Sequence, residues 1–181
     1  MPGVQVALLR GINVGPNKRV RMTDLRATVE ELGYESVQTL LNSGNVVFSS
    51  RRTAPAETAR RIEKALETAI GVSARVIVFS AEELVAAVES NPLAEAADNP
   101  SHLLLGVVAD RADTAKLADI ARQDWGKEKI ALSASRTFYM WMPKGVIESK
   151  LNAAVSKALG DSATTRTWTT MAKLREMAGG T

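Results

Sequence analysis

Four cations and no acid occupy Arg10 to Arg21, read Arg-Gly-Ile-Asn-Val-Gly-Pro-Asn-Lys-Arg-Val-Arg. Arg10, Lys18, Arg19 and Arg21 bring positive charge. Gly11, Gly15 and Pro16, with Asn13 and Asn17, let the backbone turn its amides toward an anion. That is the chemistry of an anion or phosphate cradle. The ordinary alternative is a solvated loop whose glycines only serve a turn. Four cations without an acid, set before a helix start, exceed ordinary loop polarity. The stretch is not a Walker loop, because the glycine and lysine spacing differs and Arg19, not Ser or Thr, follows Lys18. A second polar turn, Asn42-Ser43-Gly44-Asn45, offers Ser43 and Asn45 as hydrogen-bonding groups, although turn chemistry alone explains its composition.

Other candidate groups are sparser. Ser43 as a nucleophile needs a base, and the one histidine, His102, opens an apolar strand in the other half of the chain. Asp110 and Asp113 have a spacing that suits a shared magnesium ion, yet helix capping accounts for Asp113 without metal. Phe138-Tyr139-Met140-Trp141-Met142 is an aromatic strand of which one alternate set packs on helices. The other set either packs as well or stacks on bases. In Ala163 to Thr170, Arg166 and Trp168 lie two apart and share a face if both are on a strand, where they would clamp a planar anion. The plainer role for Trp168 is to anchor the final helix. No catalytic residue, cofactor or metal ligand set is nominated.

Composition removes whole classes of function. The 181 residues contain no cysteine, which excludes disulfides, thiolate catalysis and thiolate metal sites. Hydrophobic residues make up 45%, as in ordinary globular proteins, and the net charge of +3 is too weak to imply nucleic acid by itself. Residues 1–98 hold 11 basic and 12 acidic side chains; residues 99–181 hold 12 and 8. Neither half is a basic tail. Val4 to Leu9 is broken by Arg10 and lacks a basic leader, so it does not read as a signal peptide. No apolar run approaches the ~20 residues that span a bilayer. A cytoplasmic protein without a membrane partner is expected.

The elements that must position these residues follow from periodicity. Val4 to Leu9 reads as a strand, with Thr23 capping a helix of Leu25, Val29 and Leu32 that Gly33 stops. Val37 to Leu41 and Val46 to Phe48 form a hairpin in which Gly44 takes a positive φ. Ile62, Leu66 and Ile70 mark a helix closed by Gly71, and Arg75 to Phe79 a fourth strand. Ser80 and Glu83 have capping-box spacing, which predicts a helix from Ala81 to about Ser90. Ala94 to Pro100 reads as a connector. The pattern then recurs: a strand from His102 to Ala109, a helix capped by Asp113, a hairpin of Glu128 to Leu132 and Thr137 to Met142, a helix striped by Ile147, Leu151, Val155 and Leu159, a strand from Ala163 to Thr167, and a last helix. The fold class is α+β. Two ferredoxin-like split β-α-β-β-α-β halves with antiparallel sheets, residues 1–79 and 99–181, flank a linking helix and connector at 80–98. The halves share a pattern and no convincing residue identity. In such a sheet the first and third strands are antiparallel neighbours, which brings Arg10 and Gly11 toward Asn45 and Val46.

Several stretches together resemble the bacterial family known as domain of unknown function 1697. They are Ala7 to Gly15, Met22 to Arg26, Ser43 to Phe48, Ser149-Lys150-Leu151, and Ala163 to Arg166 followed by Trp168. The chain departs from that pattern at Pro16, where glycine is usual, and at Thr167, where asparagine is usual. The resemblance implies an α+β fold and no established activity.

Three functions are compatible with these features. The first is a binding protein for a small anionic or phosphorylated ligand, using Arg10, Gly11, Asn13, Lys18, Ser43 and Asn45, with Lys150, Arg166 and Trp168 as additions. A nucleic-acid-binding module comes second and requires a continuous basic stripe. A phosphoryl-group hydrolase or transferase is third, since no general base is at hand.

Overall fold

The computed structural model describes residues 3–51, 53–95 and 97–179. The connector expected from Ala94 to Pro100 includes Ala96, which lies outside them. Two compact units are present, one running to Val85 and resuming at Leu174, the other from Ala86 to Lys173.

The first unit holds β1 (Gly3–Arg10), α1 (Met22–Glu31), β2 (Glu35–Leu40), β3 (Asn45–Ser50), α2 (Pro55–Ile70) and β4 (Arg75–Ser80). Its sheet is antiparallel in the order β2-β3-β1-β4, the ferredoxin-like arrangement. Alternation sends Ala7 and Leu9, Val46 and Phe48, and Val76 and Val78 into one core with Leu25 and Val29 of α1 and Ile62 and Leu66 of α2. Val6, Leu8, Val47, Ile77 and Phe79, on the other face, are buried as well. Burial on both faces explains why these strands read as apolar runs and not as alternating ones. Tyr34 stacks on Phe48 with centroids 4.8 Å apart, and Arg61 lies 5.2 Å over the Tyr34 ring.

Helix ends in this unit match the expected chemistry except at α1. Gly71 ends α2 at φ 73°, and the Gly33 amide donates to the Glu30 carbonyl oxygen past the end of α1. The start of α1 is two residues earlier than expected, with Arg21 in the capping place and no side-chain cap. Thr23 is therefore inside the first turn. Asp24, also in that turn, supplies the negative charge that the helix start favours. The reciprocal capping box of Ser80 and Glu83, with bonds of 2.9 and 3.2 Å, opens α3 (Ala81–Glu89).

The second unit repeats the topology with β5 (Leu103–Val108), β6 (Lys129–Leu132), β7 (Thr137–Trp141) and β8 (Ala163–Thr167) in the order β6-β7-β5-β8, all antiparallel. Its first helix is reduced to a 3₁₀ segment, Arg111–Leu117, and a short α4 (Ala118–Ala121). Asp110, not Asp113, is the cap, accepting from the Ala112 amide at 2.9 Å, while Asp113 pairs with Lys116. The later helix α5 (Lys150–Leu159) begins after Ser149, which accepts from the Asn152 amide at 2.9 Å. Ile147 therefore lies outside the helix and is fully exposed, because the local cap won over the apolar period. A last helix, α6 (Trp168–Met177), ends the chain.

Phe138, Met140 and Met142 pack with Leu104, Leu151 and Val155, and so face the helices. The Phe138 ring covers Gly106 so closely that a Cβ there would sit 2.1 Å from it. Tyr139 and Trp141, the alternate set, are also buried, and the Tyr139 hydroxyl donates to the Ala87 carbonyl oxygen at 2.8 Å. This sheet offers no open aromatic platform for bases. Among the described residues no helix is long and apolar enough to cross a membrane.

Candidate functional site

At one end of the first sheet, β1 leaves the core at Arg10 and the chain makes a ten-residue excursion before Arg21. That excursion meets the turn joining β2 to β3. Register sets Leu8 opposite Asn45 and Ala7 opposite Val46, so the expected neighbourhood of Arg10, Gly11 and Asn45 exists, offset by two residues. The Leu9 amide donates to the Gly44 carbonyl oxygen at 2.8 Å. Gly44 is needed there twice over: its φ is +82°, and a Cβ would lie 2.7 Å from Leu9 Cβ and 2.8 Å from Ile12 Cδ1.

Two asparagines hold this junction. Asn13 Nδ2 donates to the carbonyl oxygens of Val20 (2.9 Å) and Asn42 (2.8 Å), and Asn13 Oδ1 accepts from the Val20 amide at 2.9 Å. Its own amide donates to the Lys18 carbonyl oxygen at 3.0 Å, which closes residues 13–18 into a turn. Asn45 is fully buried, with Nδ2 donating to the Leu40 carbonyl oxygen at 2.7 Å and to Ser43 Oγ at 3.0 Å. Both amides, expected to meet a ligand, are committed to backbone and turn. They hold the turns in place.

The charges divide in a way that sequence alone does not show. Arg21 makes a two-pronged pair with Asp24 at 2.8 and 3.0 Å. The hydrogen bond to Asp24, and secondarily its charge, keep the Arg21 guanidinium protonated beyond its ordinary range. Lys18 and Arg19 are exposed and, among the described residues, join no ion pair. Arg10 is half-buried and stands directly opposite Arg75 of β4, whose own partner is Glu63 at 3.4 Å. Like charges directly opposite across a strand pair disfavour each other. No local pattern reveals Arg75, since only the register brings it to Arg10.

Backbone conformation adds to this. Gly11, Asn13, Gly15 and Lys18 have φ of 71°, 55°, 69° and 54°, left-handed at every second residue from 11 to 15. Alternation of that kind is how backbone amides are turned to one side as an anion nest, although here the Asn13 amide is taken by the Lys18 carbonyl oxygen.

The site residues expected in the second unit are arranged differently. Lys150 is exposed at the first turn of α5, but the Leu151 amide already donates to Glu128 Oε2 at 3.1 Å, so a carboxylate of the chain itself occupies that helix start. Glu128 is 23 positions away in sequence, which hides this cap from local reading. Arg166 folds back on its own strand, donating to Thr164 Oγ1 at 2.8 Å and the Thr165 carbonyl oxygen at 2.9 Å. β8 ends at Thr167 and Trp168 opens α6, so the two do not share a strand face as a clamp would need. His102 Nδ1 lies 3.1 Å from the Pro143 carbonyl oxygen. Among the described residues, no three carboxylate or imidazole groups gather to hold a metal.

Comparison with known proteins supports the architecture. A conserved bacterial protein from Streptococcus pneumoniae has a solved structure that superposes with a TM-score of 0.80 at 21% identity, over 98% of this chain and 99% of that one. At that identity the likeness speaks for the fold. No curated protein matches the chain. Residues 3–139 match the model of the family described as protein of unknown function (DUF1697), a span that contains both loops of the site and ends before Lys150, Arg166 and Trp168. With three-quarters of its length matched in this way, the chain belongs to the DUF1697 family.

Proposed function

We propose that this protein binds a small anionic or phosphorylated ligand at the end of the first sheet. Lys18 and Arg19 reach it from the rim, Arg10 and Arg75 add charge, and the amides of Gly11 and Gly15 are further donors, the Asn13 amide being bonded to the Lys18 carbonyl oxygen. The observation that carries this reading is the pair of exposed, unpaired cations on a turn that is left-handed at Gly11, Asn13, Gly15 and Lys18. Charge-assisted hydrogen bonds from such groups are the stronger class. Asn13, Ser43 and Asn45 serve by holding the turns.

The nucleic-acid reading has less behind it. Base stacking on a ferredoxin-like sheet needs exposed aromatics, and Tyr139 and Trp141 are buried. For a hydrolase or transferase, the support is thinner: Ser43 Oγ accepts from the Asn45 side-chain amide at 3.0 Å and so helps close its own turn.

Calorimetric titration of inorganic phosphate and a mononucleotide into the wild type and a Lys18→Ala/Arg19→Ala variant tests the proposal. We expect affinity to fall roughly 10- to 100-fold in the variant, the equivalent of about one or two charge-assisted bonds. Equal affinities, with folding unchanged by circular dichroism, would show that the basic turn is only a turn.

A further inference from the structure

The turn that closes this site carries a feature its anion chemistry does not use. Leu41 is left-handed at φ 59° and 60% exposed, and Val14, on the facing turn, is 76% exposed. Single exposed apolar residues are ordinary. These two are different because they are neighbours of one hydrogen bond: Val14 follows Asn13, Leu41 precedes Asn42, and Asn13 Nδ2 donates to the Asn42 carbonyl oxygen at 2.8 Å. A bulky side chain in the left-handed region is strained, and here that strain leaves the side chain in water. Such strain survives only where the surroundings over-determine it. They do so here. Asn45 grips the Leu40 carbonyl oxygen on one side of Leu41, and Asn13 grips Asn42 on the other.

The same contacts run on to the cations. The Asn13 amide bonds the Lys18 carbonyl oxygen at 3.0 Å, so Leu41, Val14 and Lys18 are joined through two hydrogen bonds. Two exposed apolar side chains thus belong to the same pair of tied turns as the cations. A bare, strongly hydrated anion has no use for the apolar part.

Resting on the anion-binding reading above, we infer that the ligand is an anion with an apolar body, an aryl or alkyl phosphate or carboxylate. The head sits on Lys18 and Arg19. The body lies against Leu41 and Val14, where its burial adds to the affinity.

The test compares inorganic phosphate with phenyl phosphate by calorimetry, on the wild type and on Leu41→Asn. Asparagine tolerates the left-handed conformation, so the turn is kept while the apolar surface is removed. Phenyl phosphate is expected to bind the wild type at least tenfold more tightly than phosphate. In Leu41→Asn that advantage should shrink severalfold while phosphate affinity stays within about twofold. If phosphate binds and phenyl phosphate binds no better, the inference is overturned and the anion site stands. An undiminished advantage in Leu41→Asn also overturns it. If neither ligand binds, both readings fail.

Discussion

The two units share one topology and close the same end of the sheet in opposite ways. In the first, β1 is followed by an eleven-residue loop that leans on the β2–β3 turn, with the Asn13 side-chain amide tying loop to turn and that of Asn45 closing the turn itself. In the second, β5 is separated from its 3₁₀ segment by Ala109 and Asp110 alone. Its β6–β7 turn is knitted by hydroxyls, with Ser133 Oγ 2.7 Å from Ser135 Oγ and 2.8 Å from Thr137 Oγ1. There Arg136 performs the tie, reaching the carbonyl oxygens of Val108 and Ala109 at 3.3 Å. A cation that in the first unit is left at the rim is spent on backbone in the second. The lesson is that shared topology sets where a site can be, and loop length with the spending of polar groups decides which half carries one.

The sharpest way to break the first unit's junction is Gly44→Ala. A left-handed alanine costs about 1–2 kcal/mol, and overpacking against Leu9 and Ile12 adds about 1–3 kcal/mol. Urea denaturation should show a total loss of roughly 2–5 kcal/mol. A loss under about 1 kcal/mol would mean that turn and loop are not locked together. Asn45→Ala comes next. It removes two buried hydrogen bonds, from Nδ2 to the Leu40 carbonyl oxygen and Ser43 Oγ, and should destabilise by about 1–3 kcal/mol in the same assay. If Asn45 were instead a ligand group, stability would hold and only binding would suffer.

The smallest effect has the opposite sign. Thr58, fully buried on α2, has an Oγ1 without a hydrogen-bond partner among the described residues. Thr58→Val keeps the shape and removes that oxygen, so thermal unfolding should show neutral behaviour or a gain of up to about 1 kcal/mol. A clear loss would reveal a hydrogen bond at Oγ1.

Much of the fold was legible because it rests on local signals. Gly33 and Gly71 marked helix ends, the Ser80–Glu83 spacing marked α3, and the apolar runs Val4 to Leu9 and His102 to Ala109 marked the central strands. The short α4 was legible only in part. Asp113 matched a cap by type, and Asp110, three residues earlier, took the role because the chain turns immediately after β5. The candidate site was visible as a charge run with glycines, and the partnership of the loop with the Asn42 turn followed from topology. What stayed hidden depends on register and on distant partners. Arg75 joins Arg10 only across β1 and β4, Glu128 closes α5 from 23 positions away, and nothing in Leu40-Leu41-Asn42 announces a left-handed leucine.

The most direct measurement of the central claim is a two-dimensional amide NMR titration of the ¹⁵N-labelled protein with inorganic phosphate. Binding at the first unit predicts that the amides of Gly11, Gly15, Lys18 and Arg19 shift together and saturate with one affinity, with smaller changes at Ser43 and Gly44. The amides of Lys150 and Leu151, where Glu128 already occupies the helix start, should stay in place. Saturable shifts centred on Lys150 or Arg166, with the Gly11 to Arg19 amides unmoved, would contradict the account.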